Sequence, residues 1–506
     1  MANIVGIDLG TTMSAISVLN AIGKPEIIPN KDGDRITPSV IFFENNSITL
    51  IGQEAKNQAG MDPHLVAKEF KREMHNDDYR FNVHGRDYSA SELSSFILKK
   101  LTQDASKQTG SIKDVVISVP AYFKENERNA TIQAGKLAGL NVIAIINEPT
   151  AAALYYATIA DIKGRGLVYD LGGGTFDVTV SDTHGKTIDI VASSGDHHLG
   201  GVDFDKAMLE LMEEKYKAEK GGELYSDEAS KHEFLLDAER IKKSLSSRTS
   251  VKEKLVGDNG KAIIEFTQQE FEAKISTYIS KTELLVEQVL DESDSEPEDI
   301  DYILLVGGST RIPAIKRSIK KMMGKEPIVA VNVDEAVSLG AALKAGMVTV
   351  QKNPQNVSAA ITDEMSTIAV TDVANHSYGT ISLSYDEVLQ KEVLKNSILI
   401  KKNTPLPCSE TQTFYTIIDN QQSIEIEITQ GEDSDPDFVN IIHKEDMELP
   451  TNRAANQPIE ITYAYDENQM MKCTFKDINA GSVKEIDVQL NIKESTKNAL
   501  DAFLVE

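Results

Sequence analysis

Two short segments of the chain each place an aspartate between an apolar run and a turn rich in glycine and threonine. The first reads Ile4-Val5-Gly6-Ile7-Asp8-Leu9-Gly10-Thr11-Thr12, and the second reads Leu167-Val168-Tyr169-Asp170-Leu171-Gly172-Gly173-Gly174-Thr175. Turns of this kind present backbone N–H groups to an anion, and glycine lets a phosphate group approach closely. Carboxylates such as Asp8 and Asp170 can hold Mg²⁺ through its water ligands. The pair predicts a phosphate and Mg²⁺ site, and the absence of a Gly-x-x-x-x-Gly-Lys-Ser/Thr motif excludes a P-loop.

The elements that position these turns are predicted to be β-hairpins. An alternating apolar strand follows each turn, at residues 15–18 and 176–180. Two similar hairpins in one α/β region indicate an internally duplicated domain with a cleft between its halves. The other predicted elements of this region are helices at 91–105, 124–138 and 231–245, a strand at 302–306, and a helix at about 334–348.

The pattern of the sequence changes after about residue 350. Residues 352–371 are polar and lightly patterned, which indicates a linker, although the run 367–373 is apolar enough to dock as a strand. Ile424-Glu425-Ile426-Glu427-Ile428 alternates strictly, as half-buried antiparallel strands do. We predict an α/β domain at 1–350, a linker at 351–377, a β-rich domain at 378–492 and the start of a short C-terminal helix at 493–506.

Composition narrows the class of protein. The 506 residues include 79 acidic and 52 basic side chains, a formal charge of −27, and such a surface repels nucleic acid and anionic membranes. Cys408 and Cys473 are too few for a disulfide framework or a zinc site, and both are expected near a core. No signal peptide or membrane-length apolar run is visible, so a cytoplasmic protein without nucleic-acid or membrane partners is predicted.

Four further segments complete a set of motifs. They are Val119-Pro120-Ala121-Tyr122-Phe123, Ile145-Ile146-Asn147-Glu148-Pro149-Thr150, His198-Leu199-Gly200-Gly201-Val202-Asp203 and Val306-Gly307-Gly308-Ser309-Thr310-Arg311. In this order and spacing, the chain resembles the DnaK or heat-shock-70 family of chaperones from about residue 3 to residue 492. Residues 70–74 and 371–379 are most similar to the HscC branch of its bacterial members. The resemblance implies an actin-like, ribonuclease-H-like duplicated nucleotide-binding domain, followed by a β-sandwich peptide-binding domain.

The same resemblance implies roles for individual residues. Asp8 and Asp170 would position hydrated Mg²⁺. Lys71 and Glu148 would orient the water that attacks ATP, and Thr175 would lie near the γ-phosphate. The implied nucleotide-binding positions are Gly10, Thr11, Thr12, Met13, Gly172, Gly173, Gly174, Gly200, Gly201, Glu239, Lys242, Lys243, Ser246, Gly307, Gly308, Ser309, Arg311 and Asp334. Without the resemblance, Lys71 would be a solvated charge, Glu148 a helix cap and Arg311 a surface arginine.

Peptide binding and coupling between the domains are implied in the same way. The positions implied for an apolar peptide pocket are Phe414, Ile424, Ile426, Thr380 and Ile417. The last two depart from the family, because Thr380 replaces a usually apolar residue and Ile417 a commonly small one. The positions implied to transmit the nucleotide state are Pro120, Arg128 and Asp372. The second domain would thus hold extended peptides under control of the nucleotide.

Ligands and partners follow from the resemblance as well. The implied ligands are ATP or ADP with Mg²⁺, with K⁺ as a further candidate ion. The implied partners are unfolded clients, a nucleotide exchange factor and a J-domain co-chaperone. The implied processes are protein folding and the stress response. Ala144 stands where the family commonly has a basic residue that helps to receive J-domains, which argues against ordinary stimulation by them. Residues 493–506 are too few for a helical lid, so a missing or truncated lid and fast peptide exchange are expected.

Three other functions share part of this pattern. A sugar kinase has paired hairpins of the same kind, but such an enzyme has no use for the alternating C-terminal domain. A non-enzymatic regulator that binds ATP and serves a dedicated partner is the stronger alternative, and the full set of implied catalytic residues argues against it. An actin-like filament former would leave the second domain unexplained.

Overall fold

The computed structural model describes residues 3–60, 62–160, 162–329, 332–387, 390–488 and 504–505. Its helices are α1 (Gln53–Gln58), α2 (Ala90–Thr109), α3 (Glu125–Leu137), α4 (Glu148–Ile159), α5 (Gly201–Lys220), α6 (Glu228–Leu245), α7 (Gln268–Lys274), α8 (Ser276–Glu292), α9 (Pro313–Met323), α10 (Ala336–Lys352) and α11 (Ala359–Met365). Its strands up to the middle of the chain are β1 (Val5–Asp8), β2 (Met13–Leu19), β3 (Pro25–Ile27), β4 (Thr37–Pro38), β5 (Val40–Phe43), β6 (Ile48–Ile51), β7 (Val66–Lys68), β8 (Phe81–Val83), β9 (Arg86–Tyr88), β10 (Asp114–Val119), β11 (Asn141–Asn147), β12 (Gly164–Leu171), β13 (Phe176–His184) and β14 (Thr187–Asp196). The later strands are β15 (Ser250–Gly257), β16 (Gly260–Thr267), β17 (Tyr302–Val306), β18 (Ile328–Val329), β19 (Ala369–Thr371), β20 (Tyr378–Asp386), β21 (Lys391–Ile400), β22 (Cys408–Tyr415), β23 (Ser423–Gln430), β24 (Asn440–Glu448), β25 (Pro458–Tyr465), β26 (Met471–Asp477), β27 (Val483–Asp487) and β28 (Leu504–Val505).

The first part of the chain contains two six-stranded sheets with the same topology. One has the order β11-β10-β1-β2-β3, with β4 pairing β2, and the other has the order β18-β17-β12-β13-β14-β19. In each sheet an antiparallel hairpin, β1–β2 or β12–β13, is followed outward by two parallel strands. The predicted internal duplication is therefore visible in the strand order, and both predicted hairpins are confirmed.

Two helices, α4 and α10, lie between the sheets and bring them close together. A Cβ atom added to Gly340 of α10 would lie 1.8 Å from the carbonyl oxygen of Ala151 in α4. A Cβ atom added to Gly6 of β1 would lie 2.1 Å from the backbone nitrogen of Ala342 in α10. Both contacts are closer than any side chain allows, so glycine is required for this packing. The apolar core around these helices holds the two halves at a fixed separation.

The helices predicted from periodicity are confirmed, with small shifts at their ends. They correspond to α2, α3, α6 and α10. The start of α2 is set by Ser89, whose hydroxyl accepts a hydrogen bond from the N–H of Glu92 while the Glu92 carboxylate accepts one from the N–H of Ser89. This capping box satisfies two backbone donors that the helix itself cannot pair.

The second part of the chain is built from two four-stranded antiparallel sheets. Their orders are β21-β20-β23-β24 and β22-β25-β26-β27. Ile426 and Ile428 from one sheet and Tyr463 and Phe475 from the other belong to one buried apolar cluster between them. The structure is thus a mixed α/β unit followed by a β-sandwich, as the alternating pattern after residue 378 predicts.

The segment predicted as a lightly patterned linker has more regular structure than expected. Residues Ala359–Met365 form helix α11, which begins at Ser358, whose hydroxyl accepts a hydrogen bond from the N–H of Ile361. Ile361 and Met365 are buried on one face, because they lie one helical turn apart. After this helix, Ala369–Thr371 forms β19, which pairs in parallel with β14, so the expectation that this run docks as a strand is confirmed.

The predicted C-terminal helix at 493–506 lies largely outside the described residues. At Leu504–Val505 the chain is a β-strand, β28, and the helix prediction is wrong at these two residues. Backbone pairing with β6 overrides the weak helical spacing of the sequence there. No helix in the part of the chain that the structure describes is both long enough and apolar enough to cross a membrane.

Candidate nucleotide site and domain interface

A cavity of about 420 Å³ opens between the two six-stranded sheets. Asp8 and Asp170 lie at its base, near the ends of β1 and β12, which occupy equivalent places in the two sheets. Nearly all the residues predicted to bind a nucleotide line the same cavity: Gly10, Thr11, Thr12, Met13, Lys71, Glu148, Gly172, Gly173, Thr175, Gly201, Glu239, Lys242, Lys243, Ser246, Gly307, Gly308, Ser309, Arg311 and Asp334. Residues as far apart in sequence as Gly10 and Asp334 are thereby brought to one place.

Gly174 and Gly200 do not line the cavity, unlike the other predicted glycines. A Cβ atom on Gly174 would lie 2.4 Å from the hydroxyl oxygen of Thr11, and one on Gly200 would lie 2.6 Å from the backbone nitrogen of Gly174. These glycines are needed where the two turns and the start of α5 pack against one another. Their contribution to the site is the close approach of the turns.

Lys71 and Glu148 form a buried ion pair at the cavity. The Lys71 Nζ donates a hydrogen bond of 2.7 Å to Glu148 Oε1, and the two side chains are only 3% and 11% exposed. Lys71 lies on the 3₁₀ helix Phe70–Glu73, and its ammonium group also lies 5.4 Å from the centre of the Phe123 ring. The plain readings of a solvated lysine and a helix-capping glutamate therefore do not apply, because both groups face each other inside the cleft.

Three aspartates beside this pair carry strongly raised pKa values. Burial, reinforced by the nearby Glu148 carboxylate, raises the pKa of Asp8 to about 7 and that of Asp177 to about 8. The same two causes raise the pKa of Asp170 well above its ordinary range. Four carboxyl groups, those of Asp8, Asp170, Asp177 and Glu148, thus lie buried near the single ammonium group of Lys71.

The donor set fits a hydrated divalent cation. Among the described residues, no group donates a hydrogen bond to the buried Oδ2 of Asp170. Asp8 accepts one hydrogen bond on Oδ1, of 3.0 Å, from the Ser118 hydroxyl. Oxygen ligands and uncompensated carboxylates are what Mg²⁺ with its bound waters requires, so Asp8 and Asp170 are the residues that would hold it.

Arg72 is a site residue that sequence reasoning missed. Its guanidinium donates hydrogen bonds of 3.0 and 2.8 Å to the carbonyl oxygen of Gly174, and of 3.0 and 2.5 Å to the two carboxylate oxygens of Asp203. Arg72 follows Lys71 in the chain, whereas Gly174 and Asp203 belong to the opposite half of the cleft. The bidentate contact therefore fixes the position of Lys71 relative to the second glycine turn. Only its place in the charged run 68–73 could have drawn attention to it.

Charged pairs form the outer walls of the cavity. Glu239 accepts hydrogen bonds from Lys56 at 2.6 Å and from Lys243 at 2.7 Å, which joins α1 to α6 across the cleft. Arg311 and Asp334 pair at 2.7 Å on the opposite wall. The Lys56 and Lys243 partners lower the pKa of Glu239 to about 2, despite its burial. These ion pairs line the two outer walls of the cavity and place polar atoms at its opening.

Comparison with protein families agrees with this geometry. The family model described as Hsp70 protein matches residues 4–78 and 73–503, nearly the whole chain. The chain belongs to the Hsp70 family. Hsp70 proteins are chaperones with ATPase activity that bind ATP or ADP with Mg²⁺, and this general function applies to the chain.

The two parts of this Hsp70 protein meet at Asp372, directly after β19. Its Oδ2 accepts hydrogen bonds from Asn147 at 3.0 Å and Thr150 at 3.2 Å in the first part, and from Gln469 at 2.8 Å in the β-sandwich. Asp372 is fully buried, and burial raises the pKa of its carboxyl group. Asn147 immediately precedes Glu148, so the contact begins one residue from the Lys71–Glu148 pair.

Arg128, the second predicted coupling position, lies at the same interface, and Pro120, the third, lies in the turn that leads to Phe123. The fully buried Arg128 guanidinium donates to Gln469 of the β-sandwich and, at 2.7 Å, to Asn147 Oδ1. The carbonyl oxygen of Pro120 accepts a hydrogen bond of 3.2 Å from the N–H of Phe123, whose ring contacts Lys71. Asp372 and Arg128 thus both contact Asn147, the neighbour of Glu148, and Pro120 contacts the backbone of Phe123, whose ring lies against Lys71.

His376 adds a titratable group to the interface of this Hsp70 protein. Its Nε2 lies 3.2 Å from the carbonyl oxygen of Tyr122, which requires the Nε2–H tautomer. Burial, together with the nearby charges of Arg128, Lys402 and Lys124, lowers the pKa of His376 to about 3. Burial raises the pKa of Glu125, which accepts from Tyr378 of the β-sandwich, to about 7. The two groups therefore respond to acid in opposite directions.

We expect His376 to weaken docking of the β-sandwich in acid. The ordinary pKa of histidine is 6.5, and His376 must stay neutral to be buried here. Its contribution to docking is therefore complete above pH 6.5, and below that pH its protonation lowers the equilibrium constant for docking about tenfold per pH unit. Glu125 acts oppositely, because its protonation favours burial below pH 7. His376→Gln keeps a donor for Tyr122 without titrating. Between pH 6.5 and 5.5 the two effects oppose each other in the wild type, whereas only the Glu125 effect remains in His376→Gln. Energy transfer between labels on the two domains should therefore rise on acidification in His376→Gln and change little in the wild type, and equal profiles would contradict the assignment.

The predicted peptide-binding positions are spread over the β-sandwich. Phe414 on β22 and Ile424 on β23 are half-buried against the core, and Ile426 and Thr380 are buried. Ile417 lies on the loop after β22 and is 61% exposed, together with its exposed neighbours Tyr415 and Ile418. Ile426 thus lies inside the buried cluster and Phe414 and Ile424 at its edge, whereas Ile417 belongs to an exposed apolar loop.

Proposed function

We propose that this Hsp70 protein is an ATP-dependent chaperone that binds extended apolar peptide segments and releases them in response to ATP. The observation that carries the proposal is the contact of Asp372, which joins the element bearing Glu148 to the β-sandwich. A change in the nucleotide cleft can thereby alter the docking of the peptide-binding part. We assign the nucleotide domain to residues 1–350, the linker to 351–377 and the peptide domain to 378–492, and we place the chain in the HscC-like branch.

ATP hydrolysis would depend on placement and charge. Bound Mg²⁺ supplies neutralisation of charge on the phosphates. The backbone N–H groups of the two glycine turns bind and orient the phosphates, and Thr175 lies beside them in the same cavity. Lys71 and Glu148 hold the attacking water, with Glu148 Oε1 as the acceptor for its proton and Lys71 fixing that carboxylate.

The β-sandwich offers a surface for an apolar peptide. Leu383 and Leu394 face each other on the hairpin β20–β21 and are 38% and 60% exposed. Tyr415, Ile417 and Ile418 form a second exposed apolar group. Strands β21 and β22 each lie at the edge of a sheet, where an extended peptide can add backbone hydrogen bonds. Contiguous exposed apolar groups of this kind support a binding role.

The test is the release rate of a fluorescent apolar peptide, measured with ADP and then with ATP. We expect faster release with ATP, at least about tenfold, because docking competes with peptide binding. Peptide binding that ignores the nucleotide, or no binding at all, would instead support a regulatory ATPase with a dedicated partner.

Partners and ions of the family are proposals for this chain. Ala144 lies in β11 and is 2% exposed, so it presents no side chain to a J-domain in this arrangement. We therefore propose that a J-domain co-chaperone, if it acts here, contacts other residues. The nucleotide exchange factor, K⁺, the stress response and the cytoplasmic location stay predictions.

Arg72 should affect hydrolysis through the position of Lys71. We expect Arg72→Ala to lower the single-turnover rate of ATP hydrolysis by about 10- to 100-fold, because the two sides of the cleft lose their bidentate contact. Arg72→Lys cannot form the bidentate contact and should recover little. Arg80→Ala is the matched control, since Arg80 is exposed and donates to backbone carbonyls of its own turn. A rate for Arg72→Ala equal to that of Arg80→Ala would contradict this role.

A further inference from the structure

The chain returns to the nucleotide domain after the β-sandwich. Strand β28 pairs in parallel with β6, with Leu504 opposite Ile48 and Val505 opposite Thr49. This pairing adds β28 to the edge of a sheet with the order β28-β6-β5-β7. The family model ends at residue 503, so these two residues lie beyond the part of the chain that the family match covers.

Val505 occupies an apolar socket of the nucleotide domain. It is 8% exposed and belongs to the same buried cluster as Phe43, Ile51, Phe96 and Leu101. Thr49, its partner on β6, is completely buried. An apolar side chain seated in a core and a backbone strand paired at a sheet edge are the two features of strand-addition binding.

The groove beside Val505 carries more lysines than acids. This groove of about 670 Å³ is lined by Lys31, Lys99, Lys100 and Lys107 with Asp104; Lys31 pairs with Glu54, and Asp104 pairs with Lys107 and the buried Lys100. The sequence around the strand, Asp501-Ala502-Phe503-Leu504-Val505-Glu506, is acidic and apolar. The charges of the groove and of the segment are therefore complementary.

We propose that the edge of β6 is a strand-addition site whose occupant is the chain's own segment around Leu504–Val505. The β-sandwich ends at β27, and the carbonyl oxygen of Val488 just after it accepts a hydrogen bond of 2.7 Å from Asn129 of the nucleotide domain. Pairing of β28 with β6 attaches the chain that follows the β-sandwich to the nucleotide domain at a second place. The segment thus ties the two domains together at a place separate from the linker strand β19.

A peptide supplied in trans tests the site. In the full chain, Val505→Asp should empty the site, because a carboxylate cannot enter the apolar socket. A fluorescent peptide of residues 497–506 should then bind this variant at least tenfold more tightly than the wild type, where the tethered segment competes at high effective concentration. The same peptide carrying V505D corrects for binding in the client groove. Equal affinity for variant and wild type, after that correction, would overturn the proposal.

A matched control excludes a general effect of the added charge. Ile263 is 75% exposed on β16, away from this sheet, so Ile263→Asp should bind the peptide as weakly as the wild type does. Binding should also weaken at high salt, because the lysines of the groove attract the acidic peptide. Tight peptide binding by I263D would show that the peptide recognises another surface.

A cross-link tests the register without emptying the site. Paired residues of neighbouring strands are close enough for a disulfide, so Ile48→Cys with Leu504→Cys should form one under mild oxidation. Ile22→Cys with Leu504→Cys is the control, since Ile22 is exposed in the turn between β2 and β3. Peptide mapping should find the first disulfide in at least half of the molecules. Equal yields from the two pairs would overturn the register and the proposed site.

Discussion

Replacing Lys71 with methionine should lower the single-turnover rate of ATP hydrolysis by about 10²- to 10⁴-fold. The ammonium group of Lys71 is the partner of Glu148 at 2.7 Å, in a site that already holds Asp8, Asp170 and Asp177. Without it, the Glu148 carboxylate has no fixed position beside the attacking water. Methionine keeps much of the length and the contact with the Phe123 ring, so the fold should persist.

The matched control for this variant is Lys68→Met, three residues earlier. Lys68 lies on β7 with its side chain 26% exposed and 3.9 Å from Glu69, outside the nucleotide cavity. The rate of Lys68→Met should stay within about twofold of the wild type, as expected for a long, solvent-accessible ion pair outside the cavity. Nucleotide affinity, measured separately by equilibrium binding, distinguishes lost chemistry from lost binding. A Lys71→Met rate close to that of Lys68→Met would remove Lys71 from the reaction.

Asp372→Ala should separate the nucleotide cycle from peptide release. The substitution leaves the buried donors of Asn147, Thr150 and Gln469 without their shared acceptor, at a cost of about 3 kcal/mol to the docked arrangement. That cost corresponds to about a 100-fold shift toward undocked molecules. We expect ATP to accelerate peptide release by less than about twofold in this variant, while release with ADP stays unchanged.

Asp363→Ala is the control for the linker region. Asp363 is exposed on α11, nine residues before Asp372, and its removal should leave the effect of ATP intact. Hydrogen exchange at Ala369–Thr371 gives a second measurement, because β19 is protected only while it pairs with β14. Faster exchange in Asp372→Ala, with no change in Asp363→Ala, is the expected pair of results. Normal ATP-accelerated release from Asp372→Ala would contradict the assignment of Asp372 to coupling.

Much of the nucleotide domain could be predicted from sequence because its signals are local. Alternation, glycine turns and an aspartate at the end of a strand gave both hairpins, and they placed Asp8 and Asp170 in one cleft. Lys71 and Glu148 carried no such signal, since each has an ordinary role in its own segment. Their pairing depends on contact between residues 77 positions apart, and only the family resemblance indicated it.

The contacts of Arg72 could not be predicted from local sequence signals. Its partner Asp203 is 131 residues away in the chain, and the carbonyl of Gly174 has no side chain to mark it. Helix α11 was missed for a different reason, because the polar residues around it hid the pair Ile361 and Met365. The tail at 504–505 was misassigned since apolar spacing in a short segment fits a helix and an edge strand equally well.

The parallel pairing of β19 with β14 has a consequence for which features of the linker matter. Backbone groups make this pairing, so it does not depend on which side chains Ala369, Val370 and Thr371 carry. The position of Asp372 is a different matter, because each residue advances a strand by about 3.3 Å and turns the next side chain to the other face. A linker of different composition still brings the carboxylate to Asn147, whereas a linker one residue longer or shorter does not. In this chain, the placement of Asp372 directly after β19 carries the signal, and the identity of the strand residues carries little of it.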